Sequence, residues 1–241
     1  MLRYIYRNIR VEWNSPIGGI PRELRQNLLD SGGDCTVRMR EVFFILKKYL
    51  TVKNISSIAV LGALGAVLMM FDFPIAIAPS FYKIDLGDLP CLIGAFALGP
   101  IPALFIQIIK IIIKLLLKPT STAFVGELAA FIASSAFCVS AAIVYQKNKS
   151  RKQATIAMLV GSILMAFVAT LGNYLFIIPA YVNLYHIPLE TIISMGNAIF
   201  PIINDKLSFV LCCVLPFNLI KAFIVDVLTL FLYKRISPLL K

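Results

Sequence analysis

The sequence has little charge and few of the side chains that enzymes use for polar chemistry. Of 241 residues, 15% are charged, 12 are acidic and one is a histidine, while 59% are hydrophobic. That balance excludes an ordinary soluble domain, in which about half the residues are apolar and about a quarter charged. The lone histidine, His186, falls in a loop, and no HExxH, GxSxG or paired-carboxylate motif occurs, so the pieces of an integral membrane enzyme are missing. Cys35, Cys91, Cys138, Cys212 and Cys213 have no metal-ligand spacing and read as inert apolar thiols. Neither a metal nor a cofactor is expected. The Walker A pattern GxxxxGK[ST] is absent as well, so nothing in the chain itself could energise transport. Beta-barrel alternation is also lacking.

What the sequence does have is long apolar runs, around Ile55 to Phe71, Leu89 to Leu117, Phe124 to Tyr145, Ala154 to Tyr181 and Leu207 to Leu232. A bilayer core takes about 20 such residues per helix. The second run is too long for one helix and contains Gly99-Pro100-Ile101-Pro102, which predicts two helices joined by a tight turn. The expected architecture is therefore an all-α integral membrane domain of six transmembrane helices. The net charge of +11 comes from bases at helix ends: Lys47, Lys48 and Lys53, then Lys147, Lys149, Arg151 and Lys152, then Lys234, Arg235 and Lys241. Six spans put all three groups on one side of the bilayer, and the positive-inside rule makes that side, with both termini, cytoplasmic. Topology accounts for the charge, so no nucleic-acid partner is expected. The predicted location is the cell membrane, as a multi-pass protein.

Polar residues inside such helices are costly and normally face a cavity or a partner, so they are the candidate site. Gln107, Lys110, Lys114 and Lys118 fall within about 80° of one another on a helix at 100° per residue. Snorkelling would account for Lys114 and Lys118 near the helix end, but less readily for Lys110. Glu127 could pair with one of these lysines or favour its own helix N-terminus. Asn173 could equally be a hydrogen bond between helices. Asn218 and Lys221 in VLPFNLIKAF lie three residues apart on one helical face and could join Lys110, Glu127 and Asn173 around a small pocket. The loop FDFPIAIAPSFYKIDLGDLP, with Pro74, Pro79, Phe81, Tyr82 and Asp85, could close over a planar ligand or be a plain connection. In helix 1, Ala59-x-x-x-Ala63 and Gly62-x-x-x-Ala66 put small residues on adjoining strips, where another helix can approach closely, either within the chain or from a partner.

The segments FPIAIAPSFYKIDLGDLPCLIGAFALGP, STAFVGELAAF, LGNYLFIIPAY and LPFNLIKAF together resemble the riboflavin-binding (RibU-type) S components of energy-coupling factor (ECF) vitamin transporters. The resemblance runs from about Ser56 to Arg235. It implies six helices, a vitamin pocket toward the outside, a lid from the loop after helix 1, and no ATPase of its own. It also implies that the residues matching Asn218 and Lys221 hydrogen-bond the flavin ring, and that Ala59 and Ala63 dock on a transmembrane coupling subunit served by two ATP-binding subunits. Many relatives read GELAN where this chain reads GELAA, so Ala130 lacks an expected amide. On this reading Phe217, Tyr174 and Phe81 wall the apolar end of the ring. A receptor for a different vitamin competes with it, because a shared scaffold does not fix the ligand; so does a stand-alone carrier, although no inverted repeat is evident.

Residues 1–45 differ from the membrane domain, 46–241: they are polar, rich in Gly and Arg, and lack the apolar run of a signal peptide. They are expected to be a disordered cytoplasmic tail or a mis-assigned extension. The strings NSPIGG and SGGDCTVRMRE can be encoded by RNA resembling conserved parts of the flavin mononucleotide riboswitch, which would make the tail a control element read as protein.

Overall fold

The computed structural model describes residues 51–79, 81–120 and 124–236. The expectation for the N-terminal extension lies outside them. Helix α1, Val52–Met70, starts where the Thr51 hydroxyl accepts the Asn54 N–H. A loop follows, pinched by a two-residue antiparallel ladder in which β1 (Phe73–Pro74) pairs with β2 (Lys83–Ile84). Then come α2 (Asp88–Leu98), α3 (Pro100–Leu117), α4 (Val125–Lys147) and α5 (Arg151–Gly172). The break foreseen inside the long apolar run is where the sequence put it. Gly99 has φ +102°, a conformation that a side chain disfavours, and Pro100 opens α3 at a position that needs no N–H.

Helix α5 continues through a π-helical turn, Asn173–Ile177, into α6, Ile178–Tyr185. After α7 (Leu189–Asn197) the chain re-enters through α8 (Lys206–Phe209), a second π turn (Val210–Val214) and α9 (Leu215–Ile236). Each π turn ends two residues before a proline, Pro179 or Pro216. A helical proline offers no N–H to the carbonyl four residues back and its ring crowds that carbonyl, so a wider turn relieves the clash. The two π turns pack against each other.

Among the described residues five helical segments are long and apolar enough to cross a membrane: Val52–Met70, Pro100–Leu117, Val125–Lys147, Arg151–Tyr185 and Lys206–Leu232. The expected sixth, α2, has 11 residues and spans about 16 Å, roughly half a bilayer core. Its ends explain the shortfall: buried Asp88 opens it and Gly99 closes it.

The main core lies among α1 to α5 and α9, where Leu92, Ala95, Ile106, Phe137, Ala141 and Ala222 are fully buried. The outward faces carry exposed Val60, Leu159, Ile163, Phe167, Phe223 and Phe231. A water-facing surface would not tolerate so much apolar area, whereas lipid does. In α1 the two small-residue strips separate. Gly62 and Ala66 are buried, and a Cβ on Gly62 would lie 2.6 Å from Ile109 Cγ2; Ala59 and Ala63 are exposed.

Candidate ligand site

Asn218 and Lys221 stand one turn apart on α9, directly after the second π turn. Lys221 does not snorkel. Its ammonium Nζ lies 2.8 Å from Asp85 Oδ2 and 3.3 Å from Asp88 Oδ2. Lys110 Nζ, from α3, lies 2.7 Å from Asp88 Oδ1, which also accepts Gln107 Nε2 at 3.4 Å. Two ammoniums and two carboxylates thus meet under cover, Asp88 at 0% and Lys110 at 1% exposure. Their formal charges cancel, the condition under which buried charges are tolerated. Gly65 makes room for this cluster: a Cβ there would press on Lys110 Cδ at 3.2 Å and on the Gly87 carbonyl at 3.0 Å.

The second polar contact is Tyr82, whose hydroxyl donates to Asn173 Oδ1 at 2.7 Å. Asn173 in turn donates through Nδ2 to the Ala169 carbonyl at 2.8 Å, and Asn218 does the same to the Val214 carbonyl at 2.8 Å. Each asparagine therefore spends one N–H on the carbonyl four residues back, beside a π turn. Burial pushes the Tyr82 hydroxyl well above its ordinary value of 10.0, so it stays a donor. The Tyr82 ring lies 5.3 Å from that of Phe217 and 4.7 Å from that of Phe81, and Phe81 is 6.2 Å from Tyr181. Phe217 also packs with Ala78 and Ile84 in a small buried cluster that Tyr82 adjoins. Alongside it, a cleft of about 540 Å³ runs between loop residues Pro74 to Pro79 and Met195, Ala198 and Ile199.

The remaining candidates sit elsewhere. Glu127 pairs with Lys114 at 2.6 Å and accepts the Thr120 hydroxyl at 3.0 Å, a separate contact one turn along α3 from Lys110. Lys118 and Lys83 flank Asp72 at 3.4 and 3.5 Å near the surface. Tyr174 is exposed, unlike its buried neighbour Asn173, and takes Lys206 Nζ over its ring, 4.4 Å from the centroid. Among the described residues no cluster of His, Cys, Asp or Glu could hold a metal.

Sequence reasoning passed over Asp88. It opens an apolar helix, where a carboxylate is explained by the local dipole alone. The signal for it was indirect: two lysines buried in a membrane require two acids, and Asp85 in the loop and Asp88 at the start of the next helix are the nearby pair.

A membrane helical bundle that joins one loop to its helices through a neutralised charge cluster and an aromatic group has the make-up of a solute-binding membrane subunit. Comparison with known proteins gives that class a family. The family described as the ECF transporter substrate-specific component matches residues 53–233, and this chain belongs to it. It is 27% identical over 190 residues to the riboflavin transporter FmnP of Bacillus subtilis (strain 168), covering 78% of this chain and 94% of that protein. It is 25% identical over 189 residues to the riboflavin transporter RibU of Staphylococcus aureus (strain TCH60), covering 78% and 93%. The fold is similar to a solved S component of a bacterial ECF transporter, with a TM-score of 0.62 at 27% identity, across 78% of this chain and 98% of that one.

Proposed function

We propose that this chain is the riboflavin-binding S component of an ECF transporter and mediates riboflavin uptake across the cell membrane. The observation that carries the proposal is the extent of the likeness: nearly the whole length of proteins named as riboflavin transporters aligns with the membrane unit described above. The ring chemistry supports it. Riboflavin presents an acceptor–donor–acceptor pyrimidine edge, a flat apolar ring and a polyol. With one N–H used on Val214, Asn218 keeps one donor and one acceptor for that edge. Lys221 has three donors, one of them given to Asp85 while Asp88 lies within ion-pair distance at 3.3 Å, which leaves donors for a ring carbonyl or nitrogen. Phe217, Phe81 and Tyr82 supply aromatic wall and Asn173 a polar group held by Tyr82, while Lys110 supports the site from behind through Asp88; Glu127 and Tyr174, expected in the site from the sequence, are engaged by Lys114 and Lys206 and are left out of it.

The apolar cleft beside the loop is the proposed entrance, with a volume inside the roughly 300–1,000 Å³ of small-ligand pockets. Short helix α2 completes the sixth crossing in this reading, and both termini lie in the cytoplasm. The energetic partners are a transmembrane coupling subunit, received on exposed Ala59 and Ala63, and two ATP-binding subunits.

The test is purification from cells followed by a flavin absorption spectrum and a riboflavin titration. Wild type should carry or bind the flavin. Removing one partner of a buried polar contact costs about 1–3 kcal/mol, so Asn218→Ala and Lys221→Ala should bind roughly ten- to a hundredfold more weakly. Lys149→Ala, at an exposed position, is the control. Pocket variants that bind as tightly as the control would overturn the site.

A further inference from the structure

The buried ion pairs assign unequal work to the two aspartates. Asp88 is already engaged through Oδ1 by Lys110 and Gln107, and it approaches Lys221 at 3.3 Å through the other oxygen. Among the described residues the direct ion pair of Asp85 is with Lys221: its Oδ2 takes Lys221 at 2.8 Å, and its Oδ1 is fixed by the Gly87 N–H at 2.9 Å. Asp85 is 6% exposed and follows Ile84, which is fully buried against the cluster that contains Phe217. The loop over the site thus reaches α9, 136 residues away in sequence, through this carboxylate.

From this geometry we infer that Asp85 is a positioning residue for ligand recognition: its carboxylate takes one N–H of the Lys221 ammonium and anchors the side chain, so that its remaining donors are presented to the ligand. The inference rests on the riboflavin reading above and extends it, since that reading counts Asp85 only as an acceptor for Lys221 and makes riboflavin affinity depend on nothing in it. An ammonium on a four-carbon stem is flexible and costs rotamer entropy to aim. The hydrogen bond to Asp85, with Asp88 at 3.3 Å, removes that freedom before a ligand arrives, so affinity is not spent on ordering Lys221 or on burying its charge. Because Asp85 belongs to the loop, Lys221 is aimed when the loop is seated. Asp85 touches no ligand itself.

The test is a double-mutant cycle read by riboflavin titration, using full-length wild type, Asp85→Asn, Lys221→Met and the double variant. Asp85→Asn should weaken binding about tenfold or more where Lys221 is present, and by less than about twofold where Lys221 is already Met. A purely structural role for Asp85 would cost the same factor in both backgrounds, and that result would refute the inference. If Asp85→Asn alone does not fold, the other three proteins still decide: the double variant removes one charge of each sign and should bind like Lys221→Met, and a further large loss overturns the assignment. The outcomes separate the two proposals. Wild type that binds no riboflavin defeats both, whereas a weakened Lys221→Met beside an unaffected Asp85→Asn defeats this one alone.

Discussion

Replacing Asp88 by asparagine changes the shape of the buried cluster little and its charge completely. Asp88, itself at 0% exposure, takes Lys110 at 2.7 Å, Lys221 at 3.3 Å and Gln107 at 3.4 Å, all of them buried. Without its charge, Asp85 is the one carboxylate facing two ammoniums, and Lys110 loses the partner that justified its burial. Breaking a buried pair from one side costs about 3–5 kcal/mol, because the surviving charge cannot return to water. At roughly 2–4 °C per kcal/mol for a chain of this size, the apparent Tm should fall by about 6–20 °C. Removing both members reverses the argument. Asp88→Asn with Lys110→Met takes away one charge of each sign, leaves Asp85 with Lys221, and should recover most of the loss. The assay is thermal unfolding of detergent-solubilised protein, without flavin, followed by fluorescence-detected size exclusion. A fall of less than about 3 °C for the single variant, or a double variant no better than it, would refute this account of the cluster.

Two further outcomes are expected. Ala59→Trp with Ala63→Trp changes exposed positions and should abolish riboflavin uptake while leaving binding by the isolated subunit intact; a parallel loss of binding would instead assign these alanines to packing inside the chain. Tyr82→Phe keeps the ring on Phe217 but strips Asn173 Oδ1 of its donor, at a cost of about 1 kcal/mol in unfolding stability near neutral pH. Because the folded-state value of Tyr82 is raised, its contribution is complete below the unfolded value of 10.0 and is lost as pH rises beyond it. Unfolding scans from pH 8 to 11 should therefore show a smaller alkaline decline in Tyr82→Phe than in wild type, and equal slopes would contradict the buried hydroxyl.

How much of this was legible in the chain depends on the range of the interaction concerned. Apolar run length and the cost of an unsatisfied backbone in lipid are local properties, so the membrane class, the helical segments and the Gly99-Pro100 break could be read directly. So could the cost of burying Lys110, Lys221, Asn173 and Asn218, which marked them before any partner was visible. Partners are another matter. Helical periodicity says which side chains share a face, but the meeting of faces is set by packing among elements far apart in sequence. Lys110 finds Asp88 rather than Glu127 because α2 folds back on α3, and Glu127 is left to Lys114. Tyr82 reaches Asn173 across 91 residues, and Lys221 reaches Asp85 across 136. The two strips of α1 look equivalent as a pattern of small residues. Close contact with Ile109 at Gly62 turns one strip inward, and the rigidity of the helix then turns Ala59 and Ala63 outward, free for another helix.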